Sequence, residues 1–313
     1  MNSSQKGMLA SFLANFIFGL SFLFSTTAFN MVKACFVGED VLPSADVPVV
    51  LAIRFLFALI IMTALMPVFK IKLKFKGKPV WKLVLLGVFQ PVIYFVGESF
   101  GLKMTGIVIS SIMIALVPII CQMFSALFLK DSPNLLQVVF SIVSVLGVIF
   151  ATVSGSGTKS AKTYVVGIIC LVVAVISAAA FNVLGRSISQ VFTAFERTYF
   201  MFIVSAVFFS VYALFAVKGN VSLVMMPFKD TSFIISILYL GGLSSVLAYF
   251  MINYANTYLP VTRATIFSNI ITVVSTTAGF IAERNFNVVC AVCCVVIVIG
   301  VWGVQYFAKN QNK

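Results

Sequence analysis

The sequence predicts an all-α integral membrane protein of ten transmembrane helices arranged as two inverted five-helix repeats. Three observations predict it. Of 313 residues, 61% are hydrophobic and only 9% charged, with 33 Phe and a mean hydropathy of +1.14. A chain with so little polar surface is apolar outside as well as inside, which requires lipid as solvent. The apolar residues also fall into ten runs of roughly 20 residues, the length a helix needs to cross a bilayer. Finally, one flexible polar linker, rich in Ser and Gly, separates five of these runs from the other five.

The runs cover residues 8–29, 48–69, 80–101, 105–129, 135–153, 164–185, 195–217, 232–254, 261–282 and 288–307. The first follows a polar head holding a single Lys6. At about 22 residues it exceeds a signal-peptide core and reads as a retained helix. The second carries Arg54, the third the polar positions Gln90, Tyr94 and Glu98, and the fourth a helix-interrupting Pro118. The linker at 154–163 then divides a first repeat, 8–153, from a second, 164–307.

Setting the third run over the eighth with a constant shift of 155 aligns Gln90, Tyr94 and Glu98 with Ser245, Tyr249 and Asn253. Arg54 near the start of the second run has a counterpart in Arg197 near the start of the seventh. Because each half holds an odd number of spans, two such copies must cross the bilayer in opposite senses, the inverted repeat of secondary transporters.

Charge sets the orientation. Residues 70–82 carry Lys70, Lys72, Lys74, Lys76, Lys78 and Lys82 without an acid, whereas the preceding loop carries Glu39, Asp40 and Asp46 with one Lys33. Positive residues collect in cytoplasmic loops. This predicts a multi-pass protein of the cell membrane with both termini cytoplasmic, and places Lys6, Lys130, Arg186, Arg197, Arg263, Lys309 and Lys313 on the inner side as well. The formal charge of +13 is thereby explained by topology, with no call for a nucleic-acid partner. The partners expected are a small-molecule substrate and the lipid bilayer, with a homodimer left open.

Several chemistries are excluded by residue type. The chain contains no His, so no imidazole serves a zinc site, a Ser-His or Cys-His nucleophile pair, or a proton relay. Cys290-x-x-Cys293-Cys294 has metal-like spacing but stands in an apolar run without a His or carboxylate. Its thiols, and the other three, read as free and mostly buried. No cofactor, no metal and no catalytic residue is expected.

The residues also carry a family resemblance. Asn15-Phe-Ile-Phe-Gly19 with Ser21-Phe22, Arg54-Phe, the stretch from Tyr94-Phe-Val-Gly through Glu98-Ser-Phe-Gly to Thr105, Leu116-Val-Pro118 and the second-half stretch from Ala264 to Asn269 resemble the EamA-type permeases of the drug/metabolite transporter superfamily. The resemblance covers almost the whole chain. It implies export or exchange of a small organic solute, such as a metabolite, amino acid or drug-like compound, through a central cavity between two five-helix halves.

Polar side chains within spans trace a pathway, because each is unfavourable in lipid unless it meets a partner or water. The expected substrate-binding residues are Asn15, Gln90, Tyr94, Gln122, Asn182, Ser245, Tyr249, Asn253 and Asn269. Gln90, Tyr94 and Glu98 stand at i, i+4 and i+8, one stripe of a helix, as do Ser245, Tyr249 and Asn253. Interhelical hydrogen bonding is the competing role for these residues. Glu98, the one carboxylate well inside a span, is the expected coupling residue, with Arg54 as its ion-pair partner and Arg197 in the equivalent gating position. Gly97-x-x-x-Gly101 suits close helix packing. A flippase of lipid-linked substrates on the same fold, and a membrane-embedded transferase, remain as alternatives.

Overall fold

The computed structural model describes residues 3–71, 73, 75–129, 134–154, 161–259, 267–283 and 287–308. Lys72, Lys74, Lys130, Arg263, Ala264, Lys309, Lys313 and most of the 154–163 linker lie outside them. Every regular element among the described residues is helical, the arrangement in which a segment satisfies its own backbone polar groups in lipid.

The long helices are α1 (Ser3–Cys35), α2 (Asp46–Val68), α3 (Trp81–Thr105), α4 (Ile107–Phe128), α5 (Leu135–Ser154), α6 (Ala161–Ser187), α7 (Ala194–Ala216), α8 (Thr231–Tyr258), α9 (Ser268–Glu283) and α10 (Val288–Ala308). Seven of them, α1–α4 and α6–α8, are long and apolar enough to cross a membrane. The apolar stretches of α5, α9 and α10 (Leu135–Ala151, Ser268–Ala282 and Val288–Gly303) are shorter. Each helix coincides with one apolar run of the sequence.

Local chemistry explains several boundaries. Gly106, at φ +94°, joins α3 to α4 without a loop, a turn in the left-handed region that favours glycine. Helix α7 opens with a capping box: Thr193 Oγ1 accepts from the Glu196 amide at 3.1 Å while Glu196 Oε2 accepts from the Thr193 amide at 2.9 Å. The Thr-x-x-Glu spacing makes this start legible in the sequence.

Three helices are irregular in mid-span. In α3 the helix breaks through Val88–Ile93, where Gln90 adopts φ −142°, ψ 118° ahead of Pro91. A break at membrane depth needs a substitute partner for the backbone. Ser177 of α6 supplies one, its hydroxyl donating to the Phe89 carbonyl at 2.5 Å. In α8 the turns widen to π geometry over Leu238–Leu247. In α4 the helix is interrupted at 115–116, just before Pro118, as the missing proline donor requires.

Packing follows a pattern that survives exchange of the two halves. The principal pairings among the described residues join α3 to α6 and α8 to α1, α1 to α9 and α6 to α4, with α2–α7, α4–α9 and α5–α10 pairing each helix with its counterpart. Helices α3 and α6 meet closely: a Cβ on Gly97 would lie 2.5 Å from the Cys170 carbonyl oxygen, and one on Gly101 would lie 2.5 Å from Leu171 Cγ. The Gly97–Gly101 pair therefore works as a packing surface, as expected.

Helices α2 and α7 run antiparallel. The end of α7 meets the loop before α2, where the Leu42 amide donates to the Ala216 carbonyl at 2.8 Å and Lys218 pairs with Asp40. The opposite end of α7 is fixed by Glu196 to Lys78, ahead of α3, at 3.3 Å. The start of α2 is fixed by Asp46 to Lys103, near the end of α3, at 2.7 Å. The expected equivalence of Arg54 and Arg197 does not survive this comparison. Arg54 stands two turns into α2, whereas Arg197 stands in the first turn of α7.

Candidate functional site

A cavity of about 80 Å³ lies among α1, α3, α4, α6, α8 and α9. It sits where the breaks in α3 and α4 remove regular helix: Gln90 within the α3 break and Tyr94, Phe95 and Glu98 after it meet Ile114 and Val117 on the two sides of the α4 break. The lining includes Asn15, Gln90, Tyr94, Asn182, Tyr249 and Glu98 from the residues expected at the site. It also includes Asn256, Ser21, Ser268 and a wall of Phe18, Phe22, Phe95 and Phe181.

Two helices of opposite halves touch at its centre. Gln90 Nε2 of α3 donates to Tyr249 Oη of α8 at 2.7 Å. Tyr249 is 1% exposed and is boxed by rings: Phe18 at 5.0 Å, Phe202 at 6.2 Å, and Phe95 and Phe181 at 6.3 Å between centroids. Edge-on contacts of this kind fix the ring while leaving its hydroxyl to the polar partner. Glu98 is buried, accepts from Ser99 Oγ at 3.3 Å and faces the cavity two turns from Gln90. The Gln90–Tyr94–Glu98 stripe is thus intact in the fold.

The second stripe is not. Ser245 and its neighbour Ser244 hold Arg54, accepting from Nε at 2.9 Å and Nη2 at 3.0 Å. The guanidinium also lies over the Phe95 ring, 4.4 Å from its centroid. The expected Arg54–Glu98 ion pair is not formed: the ion pairs found among the described residues are those of Lys78, Lys103 and Lys218. A planar fork that meets two hydroxyls and a ring is satisfied without a carboxylate. The π turns at 238–247 rotate Ser245 relative to Tyr249, which is why the i, i+4 spacing misleads there.

Asn253 turns away too, donating to Thr198 Oγ1 at 3.0 Å on α7. Asn256 takes its place at the cavity. At 3.6 residues per turn Asn256 lies about 20° from Tyr249 around the helix and Asn253 about 40°, so the residue at i+7 was the better choice from spacing alone. Arg197 is a helix-end fastener, donating to the carbonyls of Gly185 at 2.9 Å and Asn253 at 2.6 Å and to Thr257 Oγ1 at 2.5 Å. Gln122 faces α5, beside Val138 and Ser141, and Asn269 reaches the Val298 carbonyl of α10 at 3.5 Å. Neither lines the cavity.

Beyond Ser268, the Ser and Thr side chains of α9 serve packing. Ser111 and Thr276 share a hydrogen bond of 2.9 Å across α4 and α9, Thr272 Oγ1 donates to the Ser111 carbonyl at 3.2 Å, and Ser275 and Thr277 bond back to Ile271 and Val273. Cys290 and Cys294 donate to the Ala151 carbonyl and Thr276 Oγ1 at 3.8 Å. None of the six cysteines forms a disulfide.

Known proteins resemble this chain along nearly its full length. The uncharacterized transporter YcxC of Bacillus subtilis is 30% identical over 312 residues, spanning 97% of this chain and 94% of its own. The uncharacterized transporter YyaM of the same organism is 25% identical over 218 residues, 68% of this chain and 70% of its own. A crystal structure of another protein superposes with a TM-score of 0.67 at 15% identity, over 99% of each chain, a likeness of fold. The description of the EamA-like transporter family fits twice, over residues 5–153 and 165–306. With two family repeats, a full-length relative named as a transporter and an all-helical membrane fold, the chain belongs to the EamA-like transporter family.

Proposed function

We propose that the protein is a secondary transporter that exports or exchanges a small organic solute across the cell membrane, with the cavity as its binding site. The observation that carries this reading is the Gln90–Tyr249 contact inside a polar and aromatic cavity, where the broken turn of α3 in one half meets α8 of the other. Discontinuous helices at the repeat interface are where secondary transporters bind their cargo. At about 80 Å³ the cavity is well below the roughly 300–1,000 Å³ of small-molecule sites, so on this reading a solute is admitted as the two halves move apart.

The ten helices are read as two inverted repeats, 8–153 and 164–307, joined by 154–163, with both termini cytoplasmic. The double family match, the antiparallel α2 and α7, and the exchange-symmetric packing support the two repeats, and the Lys-rich segment at 70–82 supports the orientation. Rocking of one half against the other about the cavity would then expose it to each side in turn.

Counterflow in proteoliposomes holding the purified protein tests the reading, with candidate solutes drawn from a metabolite comparison of a deletion strain and its parent. Saturable solute flux that falls on Tyr249→Ala is the expected result. Product formation without flux would point to a transferase, and lipid movement between leaflets without solute flux to a flippase.

A further inference from the structure

Resting on the transporter reading above, we infer that the cavity selects an organic cation: a small protonated amine on an apolar or aromatic body. The side chains that line it supply one formal charge, the Glu98 carboxylate, and no Lys, Arg or Asp. Arg54 and Arg197, both buried, do not line the cavity: Arg54 is held by Ser244, Ser245 and the Phe95 ring, and Arg197 by the Gly185 and Asn253 carbonyls and Thr257.

The neutral polar groups point the same way. Each cavity amide already uses an N–H on the protein: Asn15 on the Ser11 carbonyl at 2.6 Å, Asn182 on the Ala178 carbonyl at 2.9 Å, Asn256 on Asn182 Oδ1 at 3.3 Å and Gln90 on Tyr249 at 2.7 Å. Asn256 Oδ1 is buried with no partner in the structure, and Asn256 is fully buried in the cavity wall. A buried acceptor without a donor is unfavourable, and a ligand N–H relieves it.

The ring faces complete the match. Tyr94, Phe95, Phe18 and Phe181 surround the volume between Glu98 and Asn256, and aromatic faces attract ammonium groups and accommodate apolar bodies alike. An anionic solute would meet Glu98 at low dielectric with no cationic side chain in the wall. A neutral one would leave Glu98, bonded by Ser99, without a cation in the wall and Asn256 Oδ1 without a donor. A protonated amine compensates both.

Calorimetric titration of the full-length protein in nanodiscs tests this with three probes of one shape and different charge: phenethylamine, phenethyl alcohol and hydrocinnamate. Phenethylamine should bind at least about tenfold tighter than the alcohol, a preference of roughly 1.4 kcal/mol, and hydrocinnamate should give no saturable heat. Glu98→Gln should erase the preference and Glu98→Asp should keep it, which separates loss of charge from loss of fold. Equal or tighter binding of the alcohol or the acid, a preference that survives Glu98→Gln, or no phenethylamine binding at millimolar concentration would overturn the inference. Phenethylamine flux, measured separately in proteoliposomes, distinguishes the two proposals. Selective binding without flux would sink the transporter reading alone, and flux restricted to anionic solutes would sink the cation inference alone.

Discussion

The Gln90 amide of α3 and the Tyr249 hydroxyl of α8 stand 2.7 Å apart although 159 residues separate them. Their bond closes the centre of the molecule between the two halves. On the transporter reading proposed above, opening the cavity to either side would move apart the helices that carry them. Tyr249→Phe keeps the ring in its aromatic box and removes only the hydroxyl. Interhelical hydrogen bonds in membranes contribute about 0.6 kcal/mol, so thermal unfolding in detergent should change by only a few degrees. Flux should fall by about tenfold if the hydroxyl also contacts solute, a loss of roughly 1.4 kcal/mol. An unchanged flux would make the bond a packing contact.

Arg54 is satisfied by two serines and a ring, without an acid. Arg54→Lys should therefore be destabilising, because an ammonium cannot fork to both hydroxyls while stacking on Phe95. The expected loss is about 1.5–3 kcal/mol, the scale of hydrogen bonds to a charged group. Glu98→Gln should leave stability nearly unaltered. Comparable destabilisation by both substitutions, read by unfolding in detergent, would show that the two charges depend on each other after all.

Helix α3 packs on α6 through glycine. A methyl group at Gly97 would collide with the Cys170 carbonyl, 2.5 Å away, whereas one at Gly185 would find its nearest neighbours at ordinary distances of 3.7–3.8 Å. Gly97→Ala should lower stability by about 1–3 kcal/mol, as overpacking does. Gly185→Ala should be neutral or slightly stabilising. Chemical unfolding of the two variants side by side checks the contrast, and equal behaviour would contradict the close packing.

Orientation can be read with single cysteines. With the six native thiols replaced, a Cys at Lys76 should be shielded from a membrane-impermeant maleimide in intact cells, and a Cys at Glu39 should react. Both positions are exposed in the fold, so lack of labelling reports the bilayer rather than burial. The reverse pattern would invert the proposed topology.

Composition and periodicity determined much of this protein. In lipid every backbone polar group must be satisfied within its own segment, so ten apolar runs had to become helices, and a Pro at 118 had to interrupt one of them. The Tyr94 and Glu98 pair was also legible, because α3 regains regular helical turns from Tyr94 onward and spacing along a regular helix fixes a face, whereas Gln90 reaches the same cavity from within the break. What the sequence could not show is how each helix is rotated against its neighbours. The π turns of α8 moved Ser245 from the cavity to Arg54, whereas the exchange of Asn253 for Asn256 already follows from helical spacing counted from Tyr249. Arg54 and Glu98 share a depth in the sequence, yet hydroxyls and a ring outcompeted the carboxylate. A buried polar side chain is committed to whichever partner the packing presents first. That choice depends on contacts between residues far apart in the chain, 55 positions for Asn253 and Thr198 and 191 for Arg54 and Ser245, which only the tertiary structure brings together.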